Sequence, residues 1–316
     1  MKRLTFYFVL LTTLSLLLAA CSPAAPAAAP TPTTVPTAAL LTFTDGLKRT
    51  VTLPAPAARI ISLAPSNTEI LFAIGAAAQV IGRDDFSDYP AEAKDLPDIG
   101  GSNGKYDLEK IASLKPDLVI ASELNTADQV KALEDLKITV YYLSNPPDLE
   151  GMFANLITVG ELSGHKAQAA TLVDTLRQRV KAVQDKVSGV ANRPTIFYEL
   201  DATDPSKPYT AGPTTFIDQL IQISGGVNIA GSLSTAWPQI SLEEILVKNP
   251  DMILLGDAAY GNSPAQVKQR AGWTGLKAVK DNNIQVFDDN LVSRPGPRLV
   301  DGLEILAKLI HPEVFK

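Results

Sequence analysis

The groups best equipped to hold another molecule in this chain are aromatic rings and guanidinium groups set in loops. Tyr89 lies in the polar run Phe86-Ser87-Asp88-Tyr89-Pro90, and Trp237 follows the small-residue run 231–236 and precedes Pro238. A large ring in such a setting suits a core role less well than one on a strand, and is expected to cap a pocket or lie against a ligand. Ser293-Arg294-Pro295-Gly296-Pro297-Arg298 puts two guanidinium groups in one loop. Arg294 has the planar fork that fits a carboxylate or phosphate, with a surface ion pair as the plainer alternative. Arg298 falls in the first turn of the helix that follows, where positive charge is disfavoured, and is expected to be held by an acid or a ligand. Phe86, Tyr209 ahead of Ala211-Gly212-Pro213, and Asn103 at the end of a long polar loop complete the candidate ligand-binding set.

These groups recognise rather than react. The two histidines, His165 and His311, stand beside no plausible nucleophile, and no Ser-x-Gly elbow or phosphate-cradling glycine loop occurs. His311, near a helix end, reads as a favourable C-terminal charge. The His, Glu and Asp sets typical of zinc or manganese sites are not visible, so neither a bound metal nor a resident cofactor is expected. Net charge is −6, which leaves no basic stripe for phosphates and argues against a nucleic-acid partner.

The elements that must position these groups alternate. In the first half, strands at 60–63, 80–81, 118–121 and 138–142 are separated by helices, the first opened by the capping-box pattern Ser66-Asn67-Thr68-Glu69. The second half resumes with strands at 195–200, 252–255 and 284–287, a helix at 242–247 capped by Ser241 with Glu244, and a closing helix at 299–310. Alternation of this kind implies mainly parallel sheets covered on both faces. Between the halves, Val173, Leu176, Val180, Val183 and Val187 recur at steps of three and four, the period of one helix face, after Gly164 as the glycine beyond a preceding helix. A helix over 165–188 would span ~36 Å. The expected fold is α/β, two Rossmann-like lobes joined by one long α-helix, with a small-molecule site in the cleft between them.

A composition of 46% hydrophobic and 20% charged residues suits two globular domains. Residues 1–21 read as a lipoprotein signal peptide, with basic Lys2 and Arg3, an apolar run and Leu18-Ala19-Ala20-Cys21 at its end. Cys21, the only cysteine, is the lipidation candidate, which implies an extracytoplasmic, membrane-anchored protein. Residues 22–40 form a Pro/Ala/Thr-rich linker, 41–148 an N-terminal α/β lobe, 149–190 a helical segment with the linking helix, and 191–316 a C-terminal α/β lobe.

One unit occurs twice. Leu108-Glu109 and Lys115-Pro116-Asp117 recur as Leu242-Glu243 and Asn249-Pro250-Asp251, one constant offset of 134. Each copy is a short helix running into a buried strand through a Pro-Asp turn. Glu109 and Glu243 sit in first helical turns, where the helix dipole alone favours acids; alternatively the pair, one per lobe, grips a symmetric basic partner.

From about residue 56 onward the chain resembles the periplasmic binding proteins of cobalamin, ferric-siderophore and haem ABC importers. The resemblance rests on 59–74, Phe86-Ser87-Asp88-Tyr89-Pro90, the stretch from Leu108 to Ala121, the spine, and Trp237-Pro238-Gln239-Ile240-Ser241. The Asp-Tyr-Pro and Trp-Pro-Gln-Ile-Ser stretches look most like the cobalamin binders, and by that match Tyr89 and Trp237 line the cleft. The resemblance also implies that Glu109 and Glu243 dock on a dimeric permease. Where cobalamin binders commonly carry a tryptophan, this chain has Gly100-Gly101-Ser102-Asn103-Gly104, which keeps ferric siderophores, haem or another corrinoid in play. The expected protein is a monomeric, non-catalytic substrate-binding component of an ABC importer. An anchored enzyme on the same scaffold is the alternative from another class, and it would need a cluster of acids, histidines or a nucleophile in the cleft.

Overall fold

A computed structural model of the chain describes residues 40–101 and 104–315. The expectations for the leader, Cys21, the tether up to residue 39, and Asn103 fall outside the described residues.

The first element among the described residues is a hairpin that the alternation of strands and helices does not announce. β1 (Leu41–Thr44) and β2 (Thr50–Leu53) pair antiparallel, and β2 alternates exposed threonine with buried Val51 and Leu53. The buried Asp45 carboxylate closes the turn by accepting from the Leu47 and Arg49 backbone N–H groups.

Beyond it lie two sheets. β3 (Ile60–Ser62), β4 (Val80–Arg83), β5 (Leu118–Ala121) and β6 (Val140–Tyr142) form a four-stranded parallel sheet in the order β4-β3-β5-β6. β7 (Thr195–Asp201), β8 (Tyr209–Thr210), β9 (Val227–Asn228), β10 (Met252–Leu255) and β11 (Ile284–Val286) form the second, in the order β11-β10-β7-β8. There β8 is antiparallel to β7, while β9 runs parallel beside the start of β7. Every residue of β5 and β10 is buried, as strands covered on both faces must be.

The spine runs from Lys166 to Val187, about 33 Å at helical rise. Gly164 precedes it in the left-handed conformation, φ 78°, and ends the helix Leu149–Ser163. Ala169, Val173, Leu176 and Val183 are buried, so the three- and four-residue steps describe the packed face. One apolar core runs from Ile60, Ile70 and Leu118 through the spine to Ile196, Leu303 and Leu306, while the far face of each sheet has its own cluster. Arg179 fastens the spine to the closing helix Leu299–Ile310 by ion pairs to Asp301 and Glu304 at 2.6 and 2.8 Å. The architecture is therefore α/β, with two lobes of mainly parallel sheet on one helical backbone.

The sequence repeat is a structural one. Lys115 and Asn249 both adopt left-handed backbone, φ 48° and 45°, between the short helices Leu108–Ser113 and Leu242–Lys248 and the strands they feed. Asp117 then accepts from the Ala58 and Arg59 N–H groups, and Asp251 from Thr195 N–H and hydroxyl. Each Pro-Asp turn thus ties the start of its strand to the start of the neighbouring one.

Three local expectations are corrected. Ser66 does not cap a helix: the helix is Pro65–Ala73, Pro65 occupies the first turn, Ala64 is the cap residue, and Ser66 through Glu69 lie buried inside it. Ser241 does cap its helix through Glu244 N–H, but the Glu244 carboxylate lies 3.6 Å from Lys248 rather than closing a capping box. His311 is no exposed terminal charge: it is buried, Nε2 lying 3.3 Å from the Gly225 carbonyl and Nδ1 3.1 Å from Glu313.

Candidate functional site

In parallel sheets, ligands gather beyond the carboxyl ends of the strands. In the first lobe that edge carries residues 63–66, 84–89 and 122–125; in the second it carries 201–202, 256–262 and 287–294. The two edges meet through charge. Glu69, on the helix after β3, accepts from Arg298 Nε at 2.9 Å and Nη2 at 2.5 Å, and from Arg294 Nη1 at 3.2 Å. Arg294 also donates to Asp88 at 2.7 Å. Side-chain exposure is 1% for Glu69, 14% for Arg294 and 12% for Arg298. Burial raises the Asp88 carboxyl, but the Arg294 hydrogen bond and charge outweigh it and hold Asp88 below the usual carboxylate range. Arg298 is thus held by an acid, as its position at a helix start demands.

The loop that bears Phe86 and Tyr89 is anchored from below by a chain of hydroxyls. Thr68 donates to Ser62 at 2.8 Å and lies 2.7 Å from Ser87, whose hydroxyl donates to Asp84 at 3.2 Å. Burial pushes the Asp84 carboxyl up to about 6, against the hydrogen bonds from Phe86 N–H and Ser87 and the Arg294 charge. Tyr89 itself is 46% exposed, and the Arg298 guanidinium lies 3.9 Å above its ring centre.

In the second lobe, Trp237 belongs to a segment that pairs with β8. The N–H groups of Thr210 and Gly212 donate to the carbonyls of Pro238 and Ala236, and Tyr209 stands opposite Gln239. Trp237, two residues from Gln239, therefore shares a face with Tyr209. Their rings are 50% and 43% exposed. Below this rim, Glu199 takes two hydrogen bonds from Arg270, at 2.5 and 2.8 Å, and Tyr198 donates to Asp289 at 2.7 Å. Burial pushes the Glu199 and Asp257 carboxyls up, with Arg270 opposing it in both.

The structure thus brings Arg294, Asp88 and Tyr89 to one interlobe seam and pairs Tyr209 with Trp237 on one rim. Phe86 is exposed on the first-lobe loop. Glu109 and Glu243 are exposed and make no ion pair among the described residues. Tyr106, just ahead of the first helix, reaches the Leu63 carbonyl beyond β3, and Leu242 N–H, opening the second, donates to the Ser206 carbonyl beyond β7, so both glutamates stand at the carboxyl edge of their sheet. Sequence reasoning missed Glu69, whose arginine partners lie more than 220 positions away. It also missed Tyr106, half-buried beside the glycine loop, with its hydroxyl donating to the Leu63 carbonyl and accepting from Asn125. Exposed Leu124 and Tyr260, on the loops after β5 and β10, were likewise not singled out. No group of three or more His, Asp or Glu side chains fit to hold a metal occurs among the described residues.

Comparison with known proteins bears on the family and the fold. The family model for periplasmic binding proteins matches residues 60–291. An ABC transporter substrate-binding lipoprotein of Bacillus subtilis, itself uncharacterized, is 34% identical over 87% of this chain and 87% of its own length. A vitamin B12-binding protein of Vibrio cholerae is 31% identical, covering 79% of this chain and 88% of its own. Among solved structures, a periplasmic haem-binding protein of Roseiflexus sp. RS-1 superposes with a TM-score of 0.72 at 26% identity, covering 81% of this chain and 98% of that one.

Proposed function

The chain belongs to the periplasmic binding protein family, and from that premise we propose that it is the substrate-binding component of an ABC importer, taking cobalamin or a related corrinoid between its lobes and delivering it to the permease. The observation that carries this reading is the face shared by half-exposed Tyr209 and Trp237 on the second lobe, with Tyr89 and Phe86 exposed on the first-lobe loop that joins the Glu69 seam. A corrinoid is a broad ring system with apolar faces and an amide rim. Half-exposed aromatic rings supply faces for the first, and the polar strand edges supply hydrogen bonds for the second. The continuous core through the spine favours a small change of lobe angle on binding. Cys21 would be the lipid anchor, with Glu109 and Glu243 as the docking acids.

The test is a visible absorption spectrum of the protein after incubation with cobalamin, haem or a ferric siderophore and desalting. One cobalamin retained per protein supports the proposal. A second reading, haem, draws on the exposed phenols of Tyr89 and Tyr209, since tyrosine is a known haem-iron ligand. Retention of haem or siderophore in place of cobalamin would keep the importer role and overturn the ligand.

A further inference from the structure

On the spine side of the seam lies a second hollow, a cavity of about 630 Å³. Its walls come from three parts of the fold: Phe72, Ala73 and Ala77 from the first lobe, Leu172 and Leu176 from the spine, and Pro297 from the second lobe. Of the described ligand-binding candidates only Tyr89 lines it; Phe86, Arg294, Tyr209 and Trp237 do not. Its size falls in the ordinary range for small-ligand sites, roughly 300–1,000 Å³.

The charges around it select the ligand. Two arginines and three acids border the hollow, and four of these five are already matched: Glu69 with Arg298, and Asp301 with Arg179. Glu92 is exposed and has no ion pair among the described residues. The lining therefore offers an apolar floor with one unmatched negative charge at its rim. We propose that this hollow is a second small-molecule site, on the spine side of the seam and sharing only Tyr89 with the described cleft candidates, for a compact organic cation: an aromatic or alkyl amine whose apolar body lies on Phe72, Leu172 and Leu176 and whose ammonium faces Glu92. Because both lobes and the spine supply its walls, its shape changes with the lobe angle. The inference stands apart from the ligand proposed for the cleft.

The experiment uses three probes of one shape and different charge: phenethylamine, propylbenzene and 3-phenylpropionate. Each is titrated into the ¹⁵N-labelled protein while amide shifts are followed. Saturable shifts in residues 72–77, 172–176 and 298–301 are expected, with phenethylamine binding at least threefold tighter than 3-phenylpropionate. Glu92→Gln should bring the two within twofold, and Ala77→Phe, which fills the hollow, should weaken phenethylamine at least tenfold. Glu92→Gln keeps the test sound should Ala77→Phe disturb the fold. No saturable shift in these segments, shifts centred on Tyr209 and Trp237, or equal affinity for amine and acid would each overturn the proposal.

Discussion

Glu69 and Arg298 are joined by two hydrogen bonds, at 2.9 and 2.5 Å, across the boundary between the lobes. The carboxylate is 1% exposed and the guanidinium 12%, so the pair is shielded from solvent. Arg294 shares the same carboxylate. Removing this acid leaves Arg298 without a hydrogen-bonded carboxylate and Arg294 with Asp88 alone. Glu69→Ala should destabilise the protein by about 3–5 kcal/mol, the scale for breaking a buried pair from one side. Urea unfolding checks this, and a loss under about 1 kcal/mol would show that the seam is solvated. A double replacement, Glu69→Leu with Arg298→Met, should recover part of the loss, because it removes a buried charge from each side.

Asp84 gives a pH signature. Burial raises its carboxyl to about 6 from an ordinary value of 3.8. Between those values the unfolded chain loses its proton and the folded one keeps it, so this group makes stability fall as pH rises, by roughly 1.4 kcal/mol per pH unit. Above about pH 6 both states are ionised and the effect is constant. Asp84→Asn removes the ionisation while keeping an acceptor for Phe86 N–H, its amide NH2 donating to the Ser87 hydroxyl in place of the second oxygen. Its melting temperature should match the wild type near pH 4, exceed it increasingly up to pH 6, and stay above it by a steady margin to pH 8. A gap that opens in the opposite direction would show that Arg294 outweighs burial at this site.

Trp237 and Tyr209 share a rim, so their losses should be coupled in binding. Trp237→Ala should weaken cobalamin by about 1–3 kcal/mol, the usual cost of a ring buried against a ligand. Tyr209→Ala should cost less, and the double variant should fall short of the sum, because neighbouring contacts on one ligand face are not additive. Titration followed by cobalamin absorbance measures all three. Strict additivity would place the two rings on separate ligands or on none.

What could be read in the sequence was whatever repeats over a short distance. The step of three and four in the spine, the all-apolar runs of β5 and β10, and the doubled Leu-Glu and Pro-Asp unit are local patterns, and each corresponds to an observed element. β8 and β9, of two residues each, are too short to carry a pattern. The seam was hidden for a different reason. Ser66-Asn67-Thr68-Glu69 has the spacing of a capping box, yet Pro65 already occupies the first turn. Thr68 turns to Ser62 and Ser87, and Glu69 is left to meet arginines from the other end of the chain. No local spacing distinguishes those two uses of a glutamate. His311 was misjudged likewise, since the Gly225 carbonyl that buries it lies 86 positions earlier.

Glu109 and Glu243 offer the sharpest separation of binding from delivery. Both are exposed, and both occupy the first turn of the repeated helix, at the carboxyl edge of their sheets. As ordinary helix-start acids, each contributes a few tenths to about 1 kcal/mol of stability, which charge reversal would remove. As docking groups they act only when the permease is present. Glu109→Lys with Glu243→Lys should therefore leave cobalamin affinity within about twofold, lower the melting temperature slightly, and abolish uptake in cells that depend on this protein. Each single variant should show an intermediate loss, because the two lobes carry equivalent acids on equivalent helices. Uptake that survives the double reversal would return both glutamates to the helix dipole. Loss of affinity in step with uptake would place them at the ligand instead.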